Sequence, residues 1–357
     1  VKKAILSFVL VFSLIGSSSI MAQQLGAYED IMKFLYVFDG GKVTKMESQP
    51  VKEYKVARDR LVWINNVGQF KIYEGGYSKV LRENAPNSYG ISDNFMVYEI
   101  GGQLYVYEKQ RSRRVANFAG TYSFSDSVLA FIDFNQGMNV YYRGRSRNLE
   151  VFDVADVQVG KNTVAYMDNL GQFYIFWAGE NQQMDHLEPQ EFLSGRNTVA
   201  YIDNYGRFKI FHKGNLIEAD PFKPREFQVG DDMVAWVNRN NQFMVFEDGL
   251  ITMVEDVNPE KFTLVDAIVA YEMPNRHFKA YYKMQTYLLE SYIPESYKID
   301  NEILAWVDYM NNLHGLSYGE RIRPADRIVT DFEVNLDVIT SDVNRPRPQF
   351  YYQGEIY

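Results

Sequence analysis

Four histidines (His186, His212, His277 and His314) and 46 acidic residues are the groups of this 357-residue chain that could carry acid–base or metal chemistry. Neither set is arranged for it. The histidines fall at different phases of the repeat described below, so the repeat forms neither a ring of them nor an i, i+4 pair for a metal. No acidic pair has a spacing that marks glycoside hydrolysis. No G-x-S-x-G elbow, H-E-x-x-H or phosphate-cradling glycine loop is present. Cysteine is absent, which excludes disulfides, a thiol nucleophile and thiolate metal sites. Asp168-Asn169 and Asp203-Asn204 have the look of calcium loops, but such a loop draws oxygens from several alternating positions and a distal acid. Arg239-Asn240 replaces the acid in the next copy, so hairpin-turn chemistry is the reading here. Neither a cofactor nor a metal is expected, and no catalytic residue.

What remains is electrostatic. Lys109, Arg111, Arg113 and Arg114 occupy one turn of the repeat, and Arg143, Arg145 and Arg147 occupy the same turn of the next copy. Neighbouring copies should set these seven cations side by side as one patch. Arg321, Arg323 and Arg327 form a third basic region further along. The planar guanidinium fork suits carboxylates and phosphates, whereas a merely solubilising surface has no need to prefer arginine to lysine. A binding face for an acidic protein surface, or for lipid headgroups, is expected at the seven. The off-register Tyr205 and Tyr309 are the aromatic alternative, a rim on which sugars could stack.

The elements that position these groups come from one repeated unit. Thr198–Gly214 recurs as Thr163–Gly179 and as Met233–Gly249, each a shift of 35. Repetition at a fixed period decides the architecture. An aromatic opens each unit at Tyr54, Tyr89, Tyr122, Phe192, Phe227, Phe262, Tyr297 and Phe332, with Val157 in the one other place. Every step is 35 except Tyr89 to Tyr122, which is 33. Prolines keep the same beat at Pro189, Pro224, Pro259 and Pro294.

Each unit reads as four short strands, a to d. Strand a is the opening, as in Glu226–Val229; strand b is the run Val234–Val237. Strand c is the run Phe208–Phe211, and strand d a polar stretch such as Asn215–Glu218. Asn and Gly in the turn Asp203–Gly206 supply the left-handed backbone of a tight hairpin. The b strands are apolar in succession, as at Val199–Ile202, which a sheet with one wet face would not be. Small sheets stacked face to face around an axis bury both faces, and that is a β-propeller. The expected fold is therefore all-β, a single propeller of about nine four-stranded blades over residues 23–357. Phe34–Ser48 supplies strands c and d with no convincing a or b, while Phe332–Val343 supplies a and b. Closure by strand exchange between the termini is expected, with Gln349–Tyr352 left as a surplus c strand, either a cap or a sign that the blades number eight or ten.

The N-terminus reads as a signal peptide, residues 1–22: Lys2 and Lys3, an apolar run Ala4–Ile15, then small residues to a cut after Ala22. No later stretch approaches the length of a membrane span. Cleavage takes the basic residues from 37 to 35 against 46 acidic ones, a net charge of −11 that argues against nucleic acid as a partner. Over roughly residues 27–357 the unit resembles exported β-propeller repeat proteins. It lacks the WD dipeptide, the paired glycines of kelch repeats and the S-x-D-x-G box of sialidases. With its leader, its lack of cysteine and its Asn-, Tyr- and Phe-rich units, the chain looks like the envelope propellers of the Bacteroidota. That resemblance implies glycan uptake, or an accessory or plug subunit of the type IX secretion machinery. The expectation is a non-enzymatic periplasmic propeller that binds another envelope protein, as part of an outer-membrane transport or secretion complex. A glycan-binding lectin is the alternative, and a polysaccharide hydrolase or lyase stands third. The last repeat runs to Glu355-Ile356-Tyr357, from which retention in the periplasm, rather than secretion, is expected.

Overall fold

Strand b explains the architecture. Thr198–Ile202 is buried at every position, as are Met233–Val237 and Ile303–Val307. Period-2 alternation is lost there because each of these strands lies between two sheets. The computed structural model describes residues 24–135, 137–150, 154–343 and 347–357. The leader expected over residues 1–22 lies outside them. Among the described residues, 39 strands form ten antiparallel sheets, and there is no helix.

Blade 6 shows the unit, with Glu191–Ser194 (a), Thr198–Ile202 (b), Phe208–His212 (c) and Asn215–Asp220 (d). The sheet order is a-b-c-d, so the a–b and c–d turns share one end of the ring and the b–c and d–a connections the other. Most c–d pairs carry a bulge at the same place, as between Phe208 and Lys209. Ten hydrophobic clusters fill the ten interfaces. Most join the c strand of one blade to the a and b strands of the next; at the seam between blades 10 and 1 only strands b and c of blade 1 take part among the described residues. The aromatic beat of the sequence is this ladder: Phe208 meets Phe227 at 5.0 Å, and Phe243 meets Phe262 at 5.1 Å. Tilted pairs at such spacing are worth about 0.5–1.5 kcal/mol beyond the area they bury.

The ring has ten blades rather than nine, and its closure differs from the expectation. Leu25–Glu29 pairs with Leu35–Asp39, which pairs with Lys42–Lys45, so the N-terminal segment makes a blade of its own. Gln349–Tyr352 is not surplus. It pairs with Val338–Asp342 and then with Glu355–Ile356, completing blade 10. No strand is exchanged between the termini among the described residues. Blade 1 instead packs face to face on blade 10, with Phe38 stacked on Phe350 at 4.5 Å. Asn335 Nδ2 donates to Leu25 O (2.7 Å), and Asp337 N to Gln24 Oε1 (2.6 Å). Sequence reading missed Leu25–Glu29 because this b strand carries Gly26 and Glu29 in place of the apolar run of its equivalents. No helix among the described residues is long and apolar enough to cross a membrane.

Candidate functional site

The seven cations sit on the outer wall of blades 3 and 4. Lys109 and Arg143 lie in c–d turns with positive φ, while the other five belong to the d strands Arg111–Ala116 and Arg145–Glu150. All seven are exposed, and among the described residues none forms an ion pair. Arg113 donates to the carbonyl of Gly144 in blade 4, and Arg147, its equivalent, to that of Gly179 in blade 5. These bonds fix which way each strand faces. Arg111 shares the face of Arg113 and looks toward blade 4, Arg145 with Arg147 looks toward blade 5, and Arg114 lies on the opposite face. The cations therefore form a series along two inter-blade grooves rather than one patch. Arg321, in the third basic region, turns back to blade 8 and donates to the carbonyls of Leu288 (2.6 Å) and Leu289 (2.7 Å). Arg327 lies 3.9 Å from Asp326.

A second charged cluster went unnoticed in the sequence although it keeps the same beat. Arg58, Asp93, Asp126, Lys161, Arg196, Asp231 and Asp266 hold equivalent places in the a–b turns, which converge on the axis. Lys161 Nζ lies 3.1 Å from Asp231, contacts Asp266, and lies 4.0 Å from Asp126. Arg196 bridges Asp126 (3.2 Å) and Asp231 (3.3 Å). Glycine lets the turns come this close. A Cβ on Gly195 would sit 2.1 Å from Gly230 O, and one on Gly160 would sit 2.3 Å from Gly195 O. Beside these pairs a cavity of about 330 Å³ is lined by Asp93, Asp126, Lys161, Asp266 and Asp300. Burial, with the nearby Asp126 carboxylate adding to it, raises Asp93 to about 6. Burial also pushes Asp231 up, against the pull of Lys161. Burial would lower Lys161, but Asp231 and Asp266 outweigh it and hold the ammonium above its usual range.

The turn acids do the work expected of them. Asp203 Oδ1 accepts from the amides of Tyr205 (3.0 Å) and Arg207 (2.9 Å), and Asp168 Oδ1 from those of Leu170 and Gln172. Asn238 makes the same two bonds in blade 7, which is why asparagine can stand there. Among the described residues one group of three metal-capable side chains converges, His212 with Asp232 and Asp248. The ammonium of Lys213 already lies 3.1 Å from Asp232 and 2.7 Å from Asp248, so the site is an inter-blade ion-pair cluster. His212 Nε2 donates to Asp232 Oδ1 at 3.0 Å, and the ring packs edge-on against Phe246. Tyr205 and Tyr309 are 72% and 70% exposed at the b–c end, but on blades 6 and 9 they make no common platform.

A family model described as a 10-bladed beta propeller domain matches residues 19–357. No curated protein matches the chain. Solved structures match the chain at low identity. The computationally designed Ika8 protein is 12% identical, with 92% of this chain and 99% of that one covered and a TM-score of 0.36. Prp20p from Saccharomyces cerevisiae is 9% identical, with 91% and 87% covered and a TM-score of 0.38. PorZ, a surface component of the type-IX secretion system of Porphyromonas gingivalis, is 9% identical, with 86% and 51% covered and a TM-score of 0.30.

Proposed function

The chain belongs to the 10-bladed β-propeller family, and from that premise we propose that it is a non-catalytic docking ring whose outer wall at blades 3 and 4 receives an acidic protein partner. One observation carries the reading: seven exposed cations on adjacent blades form no ion pair among the described residues, in a chain of net charge −9. Some cations elsewhere are ion-paired, as Lys71 with Glu47 at 2.6 Å and Lys279 with Glu255 at 2.8 Å. Others, such as Lys52, Lys223 and Arg239, form no ion pair among the described residues; what sets the seven apart is that they stand together on two adjacent blades. In an acidic chain, unmatched arginines on one wall favour complementary association and steer it. The four histidines stand on four different blades, 5, 6, 8 and 9. His212 and His314 are held by Asp232 and Asp308, and His186 and His277 lie beside Gln183 and Asn275.

The same proposal places the ring in the periplasm, exported by the leader of residues 1–22, with an envelope protein of an outer-membrane transport or secretion complex as partner. Reversal of Arg111, Arg114, Arg143 and Arg145 to Glu, followed by affinity recovery from detergent-solubilised envelopes, tests it. The variant should melt where the parent does, because exposed charges contribute little to folding. It should lose a stoichiometric membrane partner that the parent retains, and raised salt should weaken the parent's binding. Undiminished recovery of that partner by the variant would refute the reading.

A further inference from the structure

The groove between blades 3 and 4 is built differently from its neighbours. The repeat shortens here: only Asn117 and Phe118 connect strand d of blade 3 to strand a of blade 4, where residues 221–225 connect blades 6 and 7. The short connection leaves a pocket of about 460 Å³ between the two blades, lined by Val115, Phe118, Phe131, Phe134, Asn139 and Ser146 among others. Phe118 and Phe134 meet edge to face at 5.8 Å while remaining 52% and 76% exposed. Two apolar rings in contact beside a pocket form a contiguous patch, unlike the single exposed apolar side chains such as Val67 and Leu170 elsewhere on the ring. The other end of the groove holds Arg113, bonded across it to Gly144, with Arg111 on the same face.

We propose that this groove binds an extended segment of the partner protein, one that carries carboxylates and, about five residues away, an aromatic or aliphatic side chain. The proposal rests on the docking role inferred above and specifies how the partner engages. The spacing follows from the strand: Arg113 and Phe118 are five positions apart, one of which, Val115, is taken up by a bulge, so an extended ligand spans them in about four to five steps of about 3.3 Å. Charge sets one end of the ligand and the aromatic pocket the other. Strand d of blade 3 is the outermost of its sheet, so its free edge offers main-chain groups to an added strand. A folded acidic surface would reach the arginine tips but not the pocket between the blades. A neutral glycan would leave the guanidinium groups unmatched.

Fluorescence anisotropy with a short labelled peptide tests this. The peptide carries two glutamates and a phenylalanine about five residues away, and is made in both chain directions. One direction should bind at low salt. Arg111→Glu and Phe134→Ser should each weaken it by about tenfold or more, with the melting temperature unchanged, while Tyr205→Ser should bind as the parent does. Equal binding by both groove variants, or by a peptide whose glutamates adjoin the phenylalanine, overturns the inference. If neither direction binds yet charge reversal still removes the envelope partner, the groove inference fails and the docking role stands. Should the partner be recovered regardless of charge reversal, the docking role itself has failed.

Discussion

Lys161 Nζ lies 3.1 Å from Asp231 Oδ2 although blade 6 stands between their blades. That distance sets how far the a–b turns have converged: side chains from alternate blades meet on the axis. Backbone contact must come first, since the chain supplies glycine at residues 160, 195 and 230, the three equivalent places where neighbouring turns touch.

Gly195→Ala should therefore be destabilising. Its Cβ would stand 2.1 Å from Gly230 O, a backbone atom with its own hydrogen bond from Arg196 at 3.3 Å, so two turns must separate. Overpacking of this kind costs about 1–3 kcal/mol. Gly120→Ala is the control, because the nearest atom there is Ile132 O at 3.6 Å. Thermal melts of the two should differ by several degrees, and equal melts would show that the turns are not in contact.

Asp93 gives a pH dependence. Its folded value, about 6, is above the ordinary 3.8, so the folded chain holds this proton more tightly than the unfolded one. Stability linked to Asp93 is therefore greatest below the ordinary value and declines as pH rises from about 4 to about 6, then stays level. Arg58 and Lys161 face the carboxylate and oppose this, while Asp126 and Asp300 reinforce it. Asp93→Asn should raise stability at pH 7.5 by about 1 kcal/mol, a figure discounted for partial solvent access. At pH 4 the two proteins should melt together. A variant less stable than the parent at pH 7.5 would show that the ionised form is needed by the axial cluster.

The turn acid of blade 9 has the opposite sign. Burial would raise Asp308, but bonds from Asn312 and His314 and from the Met310 amide outweigh it and bring the group to about 2. Its contribution is present above the ordinary carboxylate value and is lost as pH falls toward 2. Asp308→Ala should cost about 1–2 kcal/mol at neutral pH. Asp308→Asn should cost less, since Asn65 and Asn238 close equivalent turns with the same acceptor. Urea titrations of the two variants check the order, and a larger loss for Asn would contradict it.

The repeat made the architecture legible because the inter-blade contacts are themselves periodic. Phe208, Phe227 and Trp236 belong to one cluster, and their equivalents 35 positions on build the next. Blade number was harder, because the first blade's b strand, Leu25–Glu29, adjoins the stretch read as a leader and breaks the apolar run. The axial cluster was hidden for another reason. At its seven places the charge changes sign, from Arg58 to Asp93 to Lys161, so side-by-side comparison of repeats sees substitution where the structure has complementarity. The seven outer cations were readable as neighbours, but the direction each faces depends on strand alternation and on the bonds of Arg113 and Arg147 to the next blade. The pocket beside Phe118 left a trace in the 33-residue step, which marked a place without revealing that the shortened loop opens a groove.

Ring closure supplies the last prediction. Blade 1 and blade 10 meet through one cluster, Tyr28, Phe38, Val338, Phe350 and Tyr352. Phe350 is its centre: 2% exposed, stacked on Phe38 at 4.5 Å and tilted against Tyr28 at 5.7 Å. Gly26 lies against the same ring, so a Cβ there would come within 3.0 Å of it. Phe350→Ala removes the contact from both sides and should cost about 3–5 kcal/mol. The loss should have a location as well as a size. Hydrogen exchange should speed first in Leu25–Glu29 and Val338–Asp342, whose b strands face each other across this seam, and least in blades 5 and 6. Phe173→Ala, at the seam between those two blades, should cost a similar amount but speed exchange there instead. Unchanged exchange in Leu25–Glu29 after Phe350→Ala would mean that blade 1 is held by something other than blade 10, and that the ring is not closed at this seam.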